Sequence, residues 1–280
     1  MSAPRLLLVL GLLLGAAAAD ARELRVCADP NNLPYSNAAG EGFENKVMQV
    51  IAEDLGATLR YTWWAQRRGF IRNTLNAGDC DVIAGVASNQ GMLGTTQPYY
   101  RSSYVFVSRT DRHLALTSFD DPRLRRLRIG VQLIGDDGAN TPPTQALARR
   151  GIVDQVHGYM VYGDYRDRAP QSPIVDAVAA GDIDVAIVWG PTAGYFASKQ
   201  PVPITLTPVS PWLDGPQWPM VFDISMAVRK DDRALRRELN RAIERQAPAI
   251  SAVLREYHVP LSTAGMAAVP LSPSSAGTQQ

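Results

Sequence analysis

Side chains that could perform chemistry are few in this sequence, and their spacing does not indicate catalysis. The three histidines, His113, His157 and His258, are scattered along the chain and lack the spacing of metal ligands. The sequence has no G-x-S-x-G turn of a serine hydrolase, no P-loop and no dinucleotide-binding fingerprint. We therefore expect a binding protein and not an enzyme, with no cofactor and no metal of its own.

Cys27 and Cys80 are the two cysteines of the chain. The first lies in a predicted strand, and the second immediately precedes a later strand of the same half of the chain. In an exported protein, a pair of cysteines usually forms a disulfide. We expect this disulfide, and the alternative is two buried thiols.

Aromatic and arginine side chains cluster after the second predicted long strand. Trp63 and Trp64 end that strand, and neighbouring strand residues point to opposite faces. One indole is therefore expected in the core, and the other is free to stack on a ligand or a partner. Arg67, Arg68 and Arg72 follow as a compact basic patch, which is either a solvated helix start or a docking surface for an acidic partner.

Polar residues fill the predicted loops that follow strands. Asp29, Asn31 and Asn32 come directly after the first strand, where they predict a turn and are equally compatible with lining a cleft. Residues 135–141 form a glycine-rich loop before a helix, which is typical of anion binding. The two aspartates of this loop oppose anion binding, and the loop lacks the spaced oxygen ligands of a calcium site. We expect it to be a mobile cleft loop.

Two distant segments share one pattern that predicts how these side chains are positioned. Residues 77–84 and 180–187 each follow a helix-like stretch, turn through Gly-Asp and enter an apolar run. Glycine ends a helix without steric penalty, and the apolar run is typical of a buried parallel strand. Two such units predict two α/β lobes of related build with a binding cleft between them.

The N-terminal residues predict export. Arg5 precedes the apolar residues 6–14 and the small residues 15–19, a pattern typical of a secretory signal peptide. We expect residues 1–21 to be removed, no later membrane span, and a periplasmic location in a Gram-negative cell. The net charge of +1 gives no reason to expect binding to nucleic acid or to an anionic membrane. The Ser-, Pro- and Gly-containing residues 262–280 predict a disordered tail.

Hydrophobic periodicity and turn residues predict alternating strands and helices between these ends. The predicted strands cover residues 24–28, 59–63, 81–85, 104–108, 127–131, 184–189 and 222–229. The predicted helices cover residues 43–55, 70–77, 141–151, 172–181 and a stretch from Asp231 or Asp232 that Pro248 interrupts before residues 250–257.

The order of these pieces resembles a type II periplasmic solute-binding protein of the amino-acid-binding group. Residues 42–56 resemble the first helix of that group, and residues 96–100 resemble its crossing between the lobes. Residues 127–132 resemble the first strand of lobe two, and residues 222–229 resemble the return crossing. The resemblance implies two mostly parallel sheets flanked by helices, with lobe one at 22–107 and 218–261 and lobe two at 108–217.

One subfamily is more similar still. Residues 62–75 with 78–81, residues 27–34 and residues 188–195 resemble the signature of binding proteins associated with quinoprotein dehydrogenases. This resemblance implies a monomer that supports or activates a periplasmic methanol or alcohol dehydrogenase that uses pyrroloquinoline quinone. The resemblance also implies that the partner is that dehydrogenase or its cytochrome c.

The sequence departs from the amino-acid binders at both ligand anchors. Those proteins carry an arginine for the ligand carboxylate in the stretch that corresponds to residues 87–92, where this chain has none. They also carry a carboxylate after the second Gly-Asp strand, where this chain has Trp189 and Gly190. The resemblance therefore argues for the fold and against a free amino acid as ligand.

The cleft prediction combines the strand ends, the presumed hinge and the loops above. Tyr99, Tyr100 and Arg101 lie at the hinge, where packing in the core and contact with the cleft both remain open. The predicted ligand- or partner-binding residues are Asp29, Asn31, Asn32, Tyr35, Trp63, Trp64, Arg67, Arg68, Ser88, Tyr100, Arg101, Gln132, Asp136, Thr141, Trp189 and Tyr195.

Three functions remain open for this cleft, and a fourth alternative is a degenerate binding protein that has no ligand. The first is the accessory role that the resemblance implies, in which the cleft or the surface receives a segment of the dehydrogenase. The second is a receptor for a small solute that delivers it to a transporter. The third is a carrier for the quinone or its metal, for which Arg67, Arg68 and Arg101 are the only basic candidates on the cleft side.

Overall fold

The computed structural model describes residues 22–88, 90–135, 140–162 and 164–263. The predicted signal peptide at 1–21 and nearly all of the predicted tail lie outside the described residues. The strands of the described part are β1 (Glu23–Ala28), β2 (Asn31–Asn32), β3 (Ser36–Asn37), β4 (Thr58–Trp63), β5 (Val82–Ala87), β6 (Leu93–Arg109), β7 (Ile129–Leu133), β8 (Val156–Met160), β9 (Val185–Trp189), β10 (Ile204–Pro208), β11 (Leu213–Asp214), β12 (Trp218–Pro219) and β13 (Val221–Arg229).

Seven α-helices accompany these strands in the described ranges. They are α1 (Phe43–Asp54), α2 (Phe70–Asn73), α3 (Pro142–Arg149), α4 (Pro173–Ala180), α5 (Gly190–Ala197), α6 (Arg233–Arg245) and α7 (Ala247–Glu256). Two 3₁₀ helices cover Thr110–Arg112 and Pro122–Arg126. No helix within these ranges is both long enough and apolar enough to cross a membrane.

One large sheet runs through both halves of the described chain, and it confirms the predicted α/β fold. Its order is β4-β1-β5-β13-β6-β9-β7-β8, with β10 also paired to β6. The two flanks, β4-β1-β5 and β9-β7-β8, are parallel, whereas the long strands β6 and β13 join them in antiparallel fashion. We call the β4 side lobe one and the β8 side lobe two.

Two strands cross between the lobes side by side. Strand β6 pairs with β13 up to Ser103 and with β9 from Tyr104 onward. The amide of Tyr104 donates to the carbonyl of Met220, immediately before β13 begins. The lobe boundaries predicted from the sequence lie near these crossings, and we retain them as a proposal.

Both faces of the sheet are covered in each lobe, because alternate strand residues point to opposite sides. In lobe one, Val26 and Met226 face the helices α1, α6 and α7, whereas Ile83 and Ala227 face a smaller cluster with Phe70. In lobe two, α3 packs on one face of the sheet, and α4 and α5 pack on the other.

The repeated Gly-Asp pattern has the same structural role in both lobes. Gly78 and Gly181 end their helical stretches with φ of +83° and +82°, a conformation that favours glycine. An arginine near the lobe's first strand then donates to that glycine's carbonyl and to the second aspartate of the repeat. These contacts join Arg25 to Gly78 and Asp81, and Arg128 to Gly181 and Asp184. Each lobe thus fastens its first strand to its helix-turn-strand unit with a charge-assisted hydrogen bond.

Cys27 and Cys80 form a disulfide, as the sequence predicted, and their Cα atoms are 5.4 Å apart. The disulfide links strand β1 to the turn that precedes β5. Both cysteines are buried in the cluster that contains Phe70 and Leu75. The disulfide therefore reinforces the face of lobe one opposite to α1.

Some predicted elements differ from the structure. The helix predicted over 70–77 is one turn, α2, and the hydroxyl of Thr74 at its end donates to the carbonyl of Phe70 at 2.7 Å, in competition with the backbone bond that would continue the helix. The strand predicted over 104–108 is the much longer β6, and the edge strands β8 and β10 were not predicted. Side chains on β8 are mostly exposed, so this strand lacks the apolar alternation on which the prediction depends.

Candidate functional site

A cavity of about 340 Å³ lies between the two lobes, and we call it the cleft cavity. It opens beyond the carboxyl ends of β1 and β7, where open α/β sheets bind ligands. Lobe one lines it with Asn32, Tyr35, Glu44, Gln66, Gly85, Val86, Ala87, Tyr100 and Ile224. Lobe two lines it with Tyr104, Gln132, Ile134, Thr141, Val161, Tyr162, Gln171, Trp189 and Thr192.

Glu44 provides the cleft cavity with a carboxyl group that has no partner. It lies in the first turn of α1, next to the fully buried Phe43, so the helix face that packs on the sheet also carries Glu44 to the cavity. Its carboxyl group forms no hydrogen bond or ion pair with any described residue. Burial, with a smaller contribution from the charge of Asp29, raises the pKa of Glu44 to about 8.

The wall from lobe two consists of aromatic rings that are fixed by their neighbours. The ring centroids of Tyr104 and Trp189 are 5.3 Å apart, and Trp189 also packs on Phe222 at 5.7 Å. The amide of Trp189 donates to the side-chain oxygen of Gln132 at 3.0 Å. The hydroxyl of Thr141 donates to the carbonyl of Gln132, so Thr141 precedes α3 without capping it through its side chain. This wall is therefore preformed.

Direct hydrogen bonds hold the two lobes together around the cleft cavity. The hydroxyl of Tyr35 and that of Thr192 are 2.8 Å apart, and the amide of Gln171 donates to the side-chain oxygen of Asn32. The side chain of Asn31 donates to the carbonyl of Asp167 at 2.8 Å. The lobes are thus in contact, and the cleft is closed in this structure.

The residues 164–171, which we call the closing segment, carry most of the lobe-two side of these contacts. The hydroxyl of Tyr165 donates to the carboxylate of Asp29, which also accepts the amides of Asn31 and Gln66 at 2.9 and 2.6 Å. The guanidinium of Arg67 lies 4.5 Å from the ring centroid of Tyr165, a distance typical of a cation–π interaction. Asp29 and Arg67 therefore fasten lobe one to the closing segment.

The structure brings together six of the residues that the sequence analysis proposed for the cleft. These six line the cleft cavity and are Asn32, Tyr35, Tyr100, Gln132, Thr141 and Trp189. Three others, Asp29, Asn31 and Arg67, contact lobe two at the rim of the cavity.

The remaining proposed residues lie away from the cleft cavity. Trp63 stacks on Tyr61 against the core of lobe one, and Trp64 is 45% exposed on the surface. Arg68 is exposed and forms no hydrogen bond or ion pair with a described residue. Tyr195 stacks on Tyr257.

The side chains of Ser88 and Arg101 form hydrogen bonds with strand β13. The hydroxyl of Ser88 donates to the carbonyl of Asp223 at 3.0 Å, and the guanidinium of Arg101 donates to the carboxylate of Asp223 through two nitrogens. Arg101 therefore does not face a ligand in the cleft cavity. Asp136 lies outside the described residues.

Sequence reasoning missed the residues of the cavity that depend on contacts across the chain. Glu44 was assigned only to a helix, Tyr104 to a strand, and Gln171 and Thr192 to no role. One sequence feature could have identified Glu44: it is a carboxylate next to the apolar face of α1, where a polar side chain approaches the core. For Gln171 and Tyr165 there was no periodic signal, because both lie in irregular backbone.

The arrangement can recognise a small molecule and offers no catalytic constellation. Among the described residues, no group of three His, Cys, Asp or Glu side chains could hold a metal ion. The lining of the cleft cavity contains one carboxylic acid and, among described residues, no Lys, Arg or His. A ligand with several carboxylates would find no positive counter-ion there.

Comparison with known proteins identifies relatives along almost the whole described chain. The model of the bacterial extracellular solute-binding proteins, family 3, matches residues 24–249. Protein MoxJ of Methylorubrum extorquens is 33% identical over 258 residues, which cover 88% of this chain and 84% of that protein.

Two solved structures of related proteins have the same fold. The periplasmic binding protein XoxJ from Methylobacterium extorquens AM1 is 40% identical, with a TM-score of 0.69, and the match covers 85% of this chain and 99% of that one. MxaJ from Methlophaga aminisulfidivorans MPT is 27% identical, with a TM-score of 0.71, and the match covers 85% of this chain and 100% of that one. The type II periplasmic binding fold predicted from the sequence is therefore confirmed.

Proposed function

The chain belongs to family 3 of the bacterial extracellular solute-binding proteins, and we propose that it is an accessory protein of a periplasmic quinoprotein methanol or alcohol dehydrogenase. The observation that carries this proposal is the similarity to MoxJ and XoxJ over 88% and 85% of the chain. These proteins belong to the dehydrogenase-associated subfamily that the sequence motifs resemble. We propose export by the N-terminal signal peptide, no catalytic activity, and a monomer that binds the dehydrogenase or its cytochrome c.

A surface groove on lobe one supports this role and suggests where the partner docks. The groove has a volume of about 550 Å³ and is lined by Gln66, Arg67, Gly69, Phe70, Ile71, Arg72, Asn76, Ile83, Val86, Gln90, Met92 and Leu93. We call it the lobe-one groove. Met92 is 81% exposed at its edge and adds apolar surface beside the arginines.

The charges around the lobe-one groove favour an acidic partner. Arg67 and Arg72 line it and the exposed Arg68 is adjacent, and none of the three forms an ion pair with a described residue. Arginine and exposed apolar side chains are enriched at protein interfaces. We therefore propose that an acidic segment of the dehydrogenase with apolar side chains binds in this groove.

The base of the groove is rigid, which lowers the entropic cost of binding. Phe70, Ile83 and Leu93 belong to the buried cluster that contains the disulfide of Cys27 and Cys80. The partner would thus meet a preformed base in the groove.

The test is a binding titration of the mature protein against the quinoprotein dehydrogenase of the same organism, with dehydrogenase turnover followed in parallel. We expect saturable binding, a change in turnover, and binding that weakens as salt rises. Absence of binding at both low and moderate salt would contradict the accessory role.

A charge reversal tests the location of the interface. Arg72→Glu should weaken binding about tenfold, because it places a negative charge at the rim that receives an acidic segment. The matched control is Arg237→Glu, which changes the same charge at an exposed position of α6 on the opposite face of lobe one. Equal affinities of the two variants would rule out the lobe-one groove and leave the accessory role standing.

A receptor for a small solute is the second candidate, and the closed cleft cavity favours it. That function predicts thermal stabilisation by the solute in the absence of any dehydrogenase. A carrier for pyrroloquinoline quinone is disfavoured, because the anionic cofactor needs basic groups. Arg101 is held by Asp223, and Arg67 lies at the rim against Tyr165.

A further inference from the structure

We propose that the cleft cavity binds a small organic cation, an alkylated ammonium ion, with Glu44 as its counter-ion and the surrounding aromatic rings as its walls. The proposal rests on the charge, the shape and the aromatic lining of the cavity. It is independent of the proposed role beside the dehydrogenase.

The position of Glu44 is the first argument. Its carboxyl group rests against Gly85, where a Cβ atom would overlap with Oε1, so the glycine provides the space that the carboxyl group occupies. No described residue donates a hydrogen bond to it, although the amide and threonine side chains of the cavity all have a hydrogen-bond partner. A carboxyl group that lines a cavity without a partner is placed to receive one from a ligand.

The charge of the surroundings is the second argument. The described residues that line the cavity include no Lys, Arg or His, and Asp29 adds a negative charge nearby. The positive charge of Arg67 lies outside the lining, at the rim, against the rings of Tyr162 and Tyr165. The internal residues outside the described ranges, Asn89, 136–139 and Gly163, contain no basic side chain either. A free amino acid could pair its ammonium group with Glu44, but its carboxylate would have no partner. A ligand with positive charge alone fits this site best.

The aromatic lining is the third argument. Tyr35 and Tyr100 line the cavity from lobe one, and Tyr104 and Trp189 line it from lobe two. Aromatic rings attract cations through their quadrupoles, most strongly in tryptophan, and they suit the apolar surface of an alkylated ammonium ion. The volume of about 340 Å³ is at the small end of ligand cavities, so the ion should be small.

The pKa of Glu44 gives the proposal a specific pH dependence. The titratable groups that face it are Asp29, Tyr35, Tyr61, Tyr99 and Tyr100, none of them basic, and burial raises its pKa to about 8. Below pH 8 the carboxyl group in the empty cavity is protonated, so a permanent cation must displace that proton. Affinity should therefore fall about tenfold for each pH unit below 8 and be constant above it.

The experiment is a calorimetric titration of the mature protein with tetramethylammonium and with choline at pH 6, 7, 8 and 9. The intrinsic tryptophan fluorescence is followed in parallel, and its difference from that of a Trp189→Phe variant reports on the wall of the cavity. The neutral probe 3,3-dimethylbutan-1-ol has the shape of choline without its charge. We expect both cations to bind more tightly than the neutral probe at pH 8, with the pH dependence described above.

Two matched variants separate the role of Glu44 from effects on the fold. Glu44→Gln should weaken cation binding at least about tenfold at pH 8 and remove its pH dependence. Glu53→Gln is the control, because it makes the same change at an exposed position of the same helix. Gly85→Ala should also weaken binding, since its Cβ must displace the carboxyl group. Melting temperatures verify that each variant is folded.

Three results would overturn the proposal. The first is no binding of either cation at any pH, and the second is equal affinity for choline and the neutral probe. The third is equal cation affinity of folded Glu44→Gln and Glu53→Gln. The dehydrogenase is absent from all of these titrations, so their failure leaves the accessory role untouched.

Discussion

Two carboxylates near the cleft illustrate how local partners decide the role of a residue. The carboxylate of Asp29 accepts hydrogen bonds from the amides of Asn31 and Gln66 and from the hydroxyl of Tyr165, so both of its oxygens are engaged within the protein. Glu44, on the neighbouring wall, accepts no hydrogen bond from a described residue. The first therefore contributes to closure of the lobes, and the second is available to a ligand at a cost in stability.

The cost of Glu44 should depend on pH. The folded protein holds the pKa of Glu44 at about 8, above its ordinary value of 4.5, so between these values the folded state binds more protons than the unfolded state. Stability therefore falls as pH rises from 4.5 to 8. Glu44→Gln removes the ionisable group. Its advantage over wild type in the free energy of unfolding should therefore grow by on the order of a few kcal/mol between pH 5 and pH 8.

Urea denaturation of wild type and variants at pH 5 and pH 8 measures this gain. Comparison with Glu53→Gln corrects for a general loss of one negative charge. A difference between Glu44→Gln and wild type that stays the same at both pH values would show that Glu44 titrates normally.

At the scale of elements, each lobe contains one helix-turn-strand unit that is hydrogen-bonded to the first strand of that lobe. In lobe one the disulfide adds a covalent link between β1 and the turn before β5. Lobe two relies on the hydrogen bond from Arg128, which lowers the pKa of Asp184. The covalent link lies beneath the lobe-one groove, where a rigid surface matters most for the proposed partner.

Removal of the disulfide should destabilise lobe one. The sequence separation of the two cysteines is 53 residues, and closing a loop of this size contributes about 2–4 kcal/mol to stability. Cys27→Ala with Cys80→Ala should therefore lower the free energy of unfolding, measured in urea, by that amount.

Treatment with a reducing agent provides the control. It should destabilise the wild-type protein to a similar extent and leave the double variant unchanged. If reduction shifts both proteins equally, the effect does not come from this disulfide.

At the scale of the whole molecule, closure and docking share a residue. Arg67 lines the lobe-one groove and also stacks on Tyr165 of the closing segment. A partner that binds Arg67 would compete with a contact between the lobes. We therefore expect binding in the groove to alter opening of the cleft through this side chain.

The contacts of the closing segment predict how the lobes respond to mutation. Tyr165→Phe removes the hydroxyl that donates to Asp29 and keeps the ring beneath Arg67. We expect a larger population of open molecules, seen as an increased radius of gyration in small-angle X-ray scattering.

The control for closure is Tyr195→Phe. It removes a hydroxyl of the same lobe that forms no hydrogen bond with a described residue, so scattering should match that of wild type. A Tyr165→Phe profile identical to wild type would mean that this hydroxyl does not hold the lobes together.

The sequence by itself determined the elements and the fold, because these depend on short-range signals. Glycine after a helix, alternating apolar residues and a cysteine pair predicted both helix-turn-strand units, the disulfide and the separation of Trp63 from Trp64. Motif resemblance then supplied the family. Errors in the elements fell on the edge strands, on α2 and on the helix α5, which was not predicted. The apolar pattern is weak on the edge strand β8, a side-chain hydroxyl competes with the backbone in α2, and α5 is buried on nearly all sides, so it has no amphipathic pattern.

The tertiary structure alone decided which side chains meet in the cleft. Glu44 and Gly85 come from different elements, and Asp29 meets Tyr165 across 136 residues of sequence. The sequence left Arg101 as a candidate for binding an anion, but in the folded protein it forms an ion pair with Asp223. No local pattern encodes such pairs, because the availability of a charged group depends on the partners that folding places around it.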